Sequence, residues 1–246
     1  MKFASKLMYI FFLCINICST ALADSKIEIK TADVNDIKIA YYIRGKGKPL
    51  LMINGYLSTM SLWDPALLEE LEKNYQLILF DNRGVGFSTD TIQNHTTMEQ
   101  MADDAAELIR YLGYKKVNIL AWSMGARIGQ QLLIRHPSLV EKAILCSANP
   151  GGEYADKTSL DVESKLNNPN VPKMEKIGLV FTNNEQGKLA ANNCLARLKK
   201  AVATKTIPDD FSVSKETEIR QNRARTTLWS SNNENFHALQ NIDRKS

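Results

Sequence analysis

Five residues midway along the chain, Ala121-Trp122-Ser123-Met124-Gly125, set a serine between small side chains two positions to either side. That spacing suits a nucleophile on a tight strand-to-helix turn, where the two backbones pass so closely that only small residues fit at the flanks. Such a turn holds the Ser123 hydroxyl clear of the main chain, and the start of the following helix favours negative charge on a bound oxygen. The chemistry is acyl transfer through Ser123, with Ala121 and Gly125 packing the elbow. Without its context the same serine reads as an ordinary helix N-cap.

Acyl transfer also needs donors for the developing oxyanion. Leu50 to Asn54 reads as a strand end that opens at Gly55-Tyr56-Leu57 into a loop, whose glycine lets backbone N–H groups turn inward. The N–H of Tyr56, or of Leu57, and that of Met124 are the expected pair. Taken alone, Gly55 would only permit the turn and Tyr56 would cover the core edge.

The elements that must position these groups alternate. Strands are expected at Ile37 to Arg44, Leu50 to Ile53, Tyr75 to Phe80, Val117 to Ala121 and Lys142 to Ser147. Between them, Leu67, Leu68 and Leu71 share a helical face. Met98, Met101, Ala102, Ala105, Leu108, Ile109 and Leu112 recur at three and four before the stop at Gly113, and Ser123 to Arg135 forms a further helix. Strands alternating with helices imply crossover connections and a mostly parallel sheet covered on both faces, an α/β fold. After Pro150-Gly151-Gly152 the pattern changes. Residues 153–240 hold polar helical stretches such as Gln186 to Ala203 and Ser214 to Trp229, with Ile177 to Phe181 the one strand-like apolar run, and read as a helical module laid over the first. The Asn167-Asn168, Asn183-Asn184 and Asn232-Asn233 pairs read as loops.

Composition bounds the remainder. With 246 residues, 44% apolar and 24% charged, and a net charge of +4 from 31 basic and 27 acidic residues, the chain is globular and too evenly balanced for a nucleic-acid or membrane-surface partner. Lys2 and Lys6, the apolar stretch Leu7 to Ile17, and Ala21-Leu22-Ala23 before Asp24 form a secretory signal pattern over residues 1–23. The stretch is short for a bilayer span and broken by Asn16, so export without a lasting membrane anchor is expected. Beyond it remain Cys146, expected as a buried free thiol, and Cys194, with no spacing that argues for a disulfide and no ligand cluster for a metal.

Four segments in order resemble the α/β-hydrolase superfamily, in its epoxide-hydrolase-like, esterase and lactonase branch. They are Leu51-Met52-Ile53-Asn54-Gly55-Tyr56, with Asn54 where the family usually has His; Asp81-Asn82-Arg83-Gly84-Val85-Gly86-Phe87-Ser88; Met101-Ala102-Asp103-Asp104; and Ala121 to Gly125. His136-Pro137 and Pro150-Gly151-Gly152 fit as well. The resemblance implies a hydrolase core over residues 24–152 and a helical cap over 153–240, with Ser123 as nucleophile for a small ester, lactone or amide substrate and no cofactor. It casts Asp81 and Arg83 as a loop brace, by ion pair or hydrogen bonds. A dinucleotide reading of Gly84-Val85-Gly86 fails for want of the third glycine and ribose acid in register.

The family triad requires an acid and then a histidine after the serine. The chain has His95, His136 and His237, none where the pattern places the base, and Asn149 where some members carry the acid. Trp229 and Phe236 to Ile242 resemble the lead-in to the next core strand. Residues 241–246 are therefore expected to be a cut-off lead-in, with on the order of 50 residues of C-terminal strands and helices missing. An incomplete hydrolase follows, as does an uncovered sheet edge around Ile144 that favours self-association. Two alternatives stand beside it: a working enzyme using His237, and a non-catalytic protein that binds a small ligand on the same scaffold.

Overall fold

The computed structural model describes residues 27–91, 96–155, 159–168 and 170–242. The expected signal segment and His95 lie outside the described residues. Six strands form one sheet: β1 (Lys30–Val34), β2 (Ile37–Gly45), β3 (Lys48–Ile53), β4 (Tyr75–Phe80), β5 (Val117–Trp122) and β6 (Val140–Cys146), in the order β1-β2-β4-β3-β5-β6. The pairs from β4 to β6 are parallel, and β1 and β2 join antiparallel. The sheet is thus mostly parallel with helices on both faces, as the alternation implies. β1 was not expected: only two of its five residues are buried, so an edge strand this short leaves little apolar signal.

Because side chains alternate along a strand, each strand feeds two cores. Leu51, Ile53, Ile78, Phe80, Ile119 and Ala121 face α2 (Met98–Tyr111) and α3 (Met124–Arg135), meeting Met101, Ala105, Leu108, Ile128 and Leu132. Ala40, Tyr42, Leu50, Met52, Leu77 and Leu79 face the other way, against Leu68 of α1 (Pro65–Leu71) and the loop residues Met60 and Trp63. Thr97 caps α2 by accepting the Gln100 N–H at 3.0 Å, and Asp64 caps α1 by accepting the Ala66 N–H at 3.0 Å.

The later helices are α4 (Leu160–Asn167), α5 (Lys173–Gly178), α6 (Glu185–Ala203), α7 (Lys215–Arg223) and α8 (Asn233–Gln240), with a π-helical turn at Ala224–Leu228 after α7. Helix α6 supplies Cys194, Leu198 and Ala201 to the second core. Arg197 clamps it to α1 through two bonds to Asp64, 2.7 and 2.5 Å. Ile177 to Phe181 is no strand. Pro172 starts α5, and the run closes that helix and turns, so that Ile177 and Phe181, partly buried, and Val180, exposed, line a cavity instead of entering the sheet. Asn184 and Asn232 are helix caps, not merely loop residues. Cys146, expected as a buried thiol, is only partly buried because β6 lies at the sheet edge, and Cys194 is the buried one.

Candidate active site

Ser123 joins β5 to α3 with φ 57° and ψ −123°, a left-handed conformation that costs a non-glycine residue about 1–3 kcal/mol. The Ser123 N–H donates to Cys146 O at 2.9 Å, and its side chain takes no part in capping the helix, so the N-cap reading has no hydrogen bond behind it. The small flanking residues have a steric reason. A Cβ on Gly125 would lie 2.2 Å from Ile53 O and 2.5 Å from Asn54 O, while Ala121 is fully buried beside β3. The corner after β3 presses on the elbow, since a Cβ on Gly55 would stand 3.1 Å from the Ser123 Cβ.

Three N–H groups were candidates for the oxyanion. That of Leu57 is taken: at φ 54° it donates to Gln221 Oε1 of α7 at 3.0 Å. Tyr56 and Met124 remain. Tyr56 is held by its ring, with the Arg225 guanidinium 4.1 Å above it, and by its hydroxyl, which donates to Asn167 Oδ1 at 3.3 Å. Burial pushes the Tyr56 phenol up to about 12, so it stays neutral and able to donate. Asn54, in place of the usual histidine, is buried and donates from Nδ2 to Thr59 O at 2.7 Å, pinning the start of the same loop.

The residues expected as a brace each serve a separate contact. Asp81 accepts the Met60 N–H through Oδ1 at 2.6 Å and the Phe87 N–H through Oδ2 at 3.0 Å, tying together the loops after β3 and β4. Arg83, fully buried, donates from Nε and Nη2 to Asp104 of α2 at 2.7 and 2.9 Å, and from Nη2 to Asp36 at 3.1 Å. Asp104 as Arg83's partner was missed from sequence. Its signal was present, because an acid on the apolar side of α2 between Met101 and Leu108 must find a counter-charge.

Neither described histidine is offered to Ser123. His136 Nε2 lies 2.7 Å from Asp103 Oδ1, a carboxylate also gripped by Arg135, and His237 sits edge-on to Phe236. Asn149 is committed too, its Oδ1 accepting from Trp229 Nε1 at 2.9 Å and from Gly151 N at 3.2 Å. Among the described residues no group of three His, Cys, Asp or Glu could hold a metal.

A cavity of about 730 Å³ opens beside the elbow. Its wall includes Tyr56, Leu57, Trp63, Trp122, Phe181 and Phe211. Ser123 itself is next to this wall and not part of it.

Residues 48–176, from β3 through the elbow to α5, match the family model for the α/β hydrolase fold. The chain belongs to the α/β-hydrolase family. It is similar to a protein of Mycobacterium tuberculosis named as the non-heme bromoperoxidase BpoC, with 37% identity over 110 residues, 44% of this chain and 41% of that protein. A fluoroacetate dehalogenase of Burkholderia is 28% identical over 123 residues, 48% of this chain and 40% of that enzyme. The α/β-hydrolase thus spans about two-fifths of the length of these relatives. Among solved structures, an α/β hydrolase fold protein of Chitinophaga pinensis superposes with a TM-score of 0.69 at 25% identity, covering 85% of this chain and 74% of that one.

Proposed function

We propose that this α/β-hydrolase is an exported serine hydrolase acting on a small ester, lactone or amide. The observation that carries the reading is the strained backbone of Ser123, held against the Gly55 corner with its hydroxyl uninvolved in capping. The Ser123 Oγ adds to the acyl carbon, and the carbonyl oxygen becomes an oxyanion facing the N–H groups of Tyr56 and Met124. Collapse of that intermediate breaks the acyl–oxygen or acyl–nitrogen bond. The alcohol or amine leaves with a proton, and water then releases the acyl group as an acid. Serine at position 123 argues against epoxide or haloalkane chemistry, whose branches resemble carboxylate nucleophiles.

The general base is the weak element. Among the described residues His136 is on Asp103 and His237 against Phe236, so neither takes the hydroxyl proton, and on this reading turnover near neutral pH is slow. A fluorophosphonate probe followed by intact mass tests the assignment. A slow single adduct at Ser123, accelerated at alkaline pH and absent in Ser123→Ala, is expected. An adduct that survives Ser123→Ala overturns the nucleophile, and rapid labelling at neutral pH overturns the slow turnover proposed here. The placement of the histidines also favours a second reading, a non-catalytic carrier of a small apolar ligand in the cavity, for which Ser123→Ala leaves binding intact.

A further inference from the structure

Arg127 stands on α3 four residues beyond Ser123, one helical turn along and so on nearly the same side of the helix as the elbow. Its Nη1 donates to the backbone oxygen of Arg225 at 2.6 Å, while its Nε is buried without an acceptor. No carboxylate among the described residues pairs with it. Its neighbours also include the Trp229 ring, 5.8 Å away, and a second cation, Arg225. Burial, reinforced by Arg225, pushes the Arg127 guanidinium down to about 10, which leaves it charged at neutral pH. Arg225 is neutralised by Glu163 through bonds of 3.2 and 2.5 Å, yet its Nε too is buried and unpartnered. Arg83, which is fully buried where Arg127 is partly so, is surrounded by Asp104, Asp36 and Asp90. Burying a charge without a counter-charge is costly, and such costs concentrate where a ligand supplies the missing partner.

We propose that Arg127, beside the free Nε of Arg225, binds the carboxylate of a small-molecule ligand. The local excess is a single positive charge, which a monoanion cancels and a phosphate dianion would overshoot. A planar guanidinium edge also matches a planar carboxylate. The site adjoins the candidate active site through Tyr56, which carries Arg225 on its ring and lines the cavity. This assignment goes beyond hydrolysis at Ser123 and does not rest on it, since binding is read whether or not the serine turns over.

Calorimetric titration of the whole chain at low salt with hexanoate, hexanamide and inorganic phosphate tests it. Hexanoate should bind at least about ten-fold tighter than hexanamide, roughly 1.4 kcal/mol, with that preference lost in Arg127→Met and partly kept in Arg127→Lys. Equal affinity for acid and amide, a preference that survives Arg127→Met, or phosphate binding tighter than hexanoate each overturns the proposal. If Arg127→Met does not fold, the wild-type chain decides alone. Rising chloride should weaken hexanoate and leave hexanamide unchanged, and an affinity for hexanoate indifferent to chloride refutes the site.

Discussion

The carbonyl oxygen of Ile53, the last residue of β3, stands 2.2 Å from where a β-carbon on Gly125 would sit. No side chain can swing aside to relieve that contact, because the obstacle is the main chain of a central strand. Gly125→Ala should therefore lower stability by about 3 kcal/mol, more than an ordinary surface glycine replacement, as read from denaturant unfolding. A change within about 0.5 kcal/mol would mean that the elbow is looser than described.

Ser123 carries the strain that the elbow imposes. Glycine reaches this backbone conformation at little cost, so Ser123→Gly should raise the unfolding free energy by about 1 kcal/mol while removing any fluorophosphonate adduct. Stabilisation accompanied by loss of labelling is the signature of a position strained for chemistry; a destabilised variant would argue against it.

Arg83 and Asp104 are both buried and doubly bonded. Asp104→Ala leaves a buried guanidinium with Asp36 at 3.1 Å and Asp90 at 3.7 Å as its remaining partners and should cost about 3 to 5 kcal/mol. Adding Arg83→Met should restore part of that loss, since the fully buried guanidinium is gone and the acids left without it, Asp36 and Asp90, are nearer to solvent. A double variant no better than Asp104→Ala in thermal unfolding would contradict this account.

Asp64 links α1 to α6. Burial alone would raise its pKa, but hydrogen bonds from Arg197 and the Ala66 N–H prevail and hold it below its ordinary 3.8. A depressed folded value means the contribution is whole above the ordinary carboxyl range and disappears as pH falls through the folded value. Because the Arg197 side chain is 41% exposed and that of Asp64 27%, solvent screens the pair and the effect is under about 1 kcal/mol. The melting temperatures of wild type and Asp64→Asn should differ near neutrality and converge in acid; a gap that widens on acidification reverses the sign.

Ile144 projects from β6 at the sheet edge and is 62% exposed. An exposed apolar edge strand invites pairing with another chain. Ile144→Lys should reduce concentration-dependent light scattering, and scattering unchanged by the charge would place the sticky surface elsewhere.

Much of the site was legible because local chemistry constrained it. Small residues at 121 and 125 report how close two backbones pass, and the apolar spacing from Met98 to Leu112 describes a helix with one buried side. The Leu57 N–H was an equal candidate until Gln221, 164 residues later, occupied it. Cys146 ends an apolar strand and so reads as buried from sequence, but that strand lies at the sheet edge, a position only the pairing of strands decides.

The amino-acid order by itself determined the alternation of strands and helices and the turn at Ser123, since both depend on side-chain periodicity and steric fit among near neighbours. Tertiary structure alone decided which charges are cancelled. Arg83 finds Asp104 and Asp36, while Arg127, among the described residues, meets a backbone oxygen, the Trp229 ring and another cation but no carboxylate. Partners this distant along the chain are chosen by packing, and the energy of an ion depends on what packing brings within a few ångströms of it.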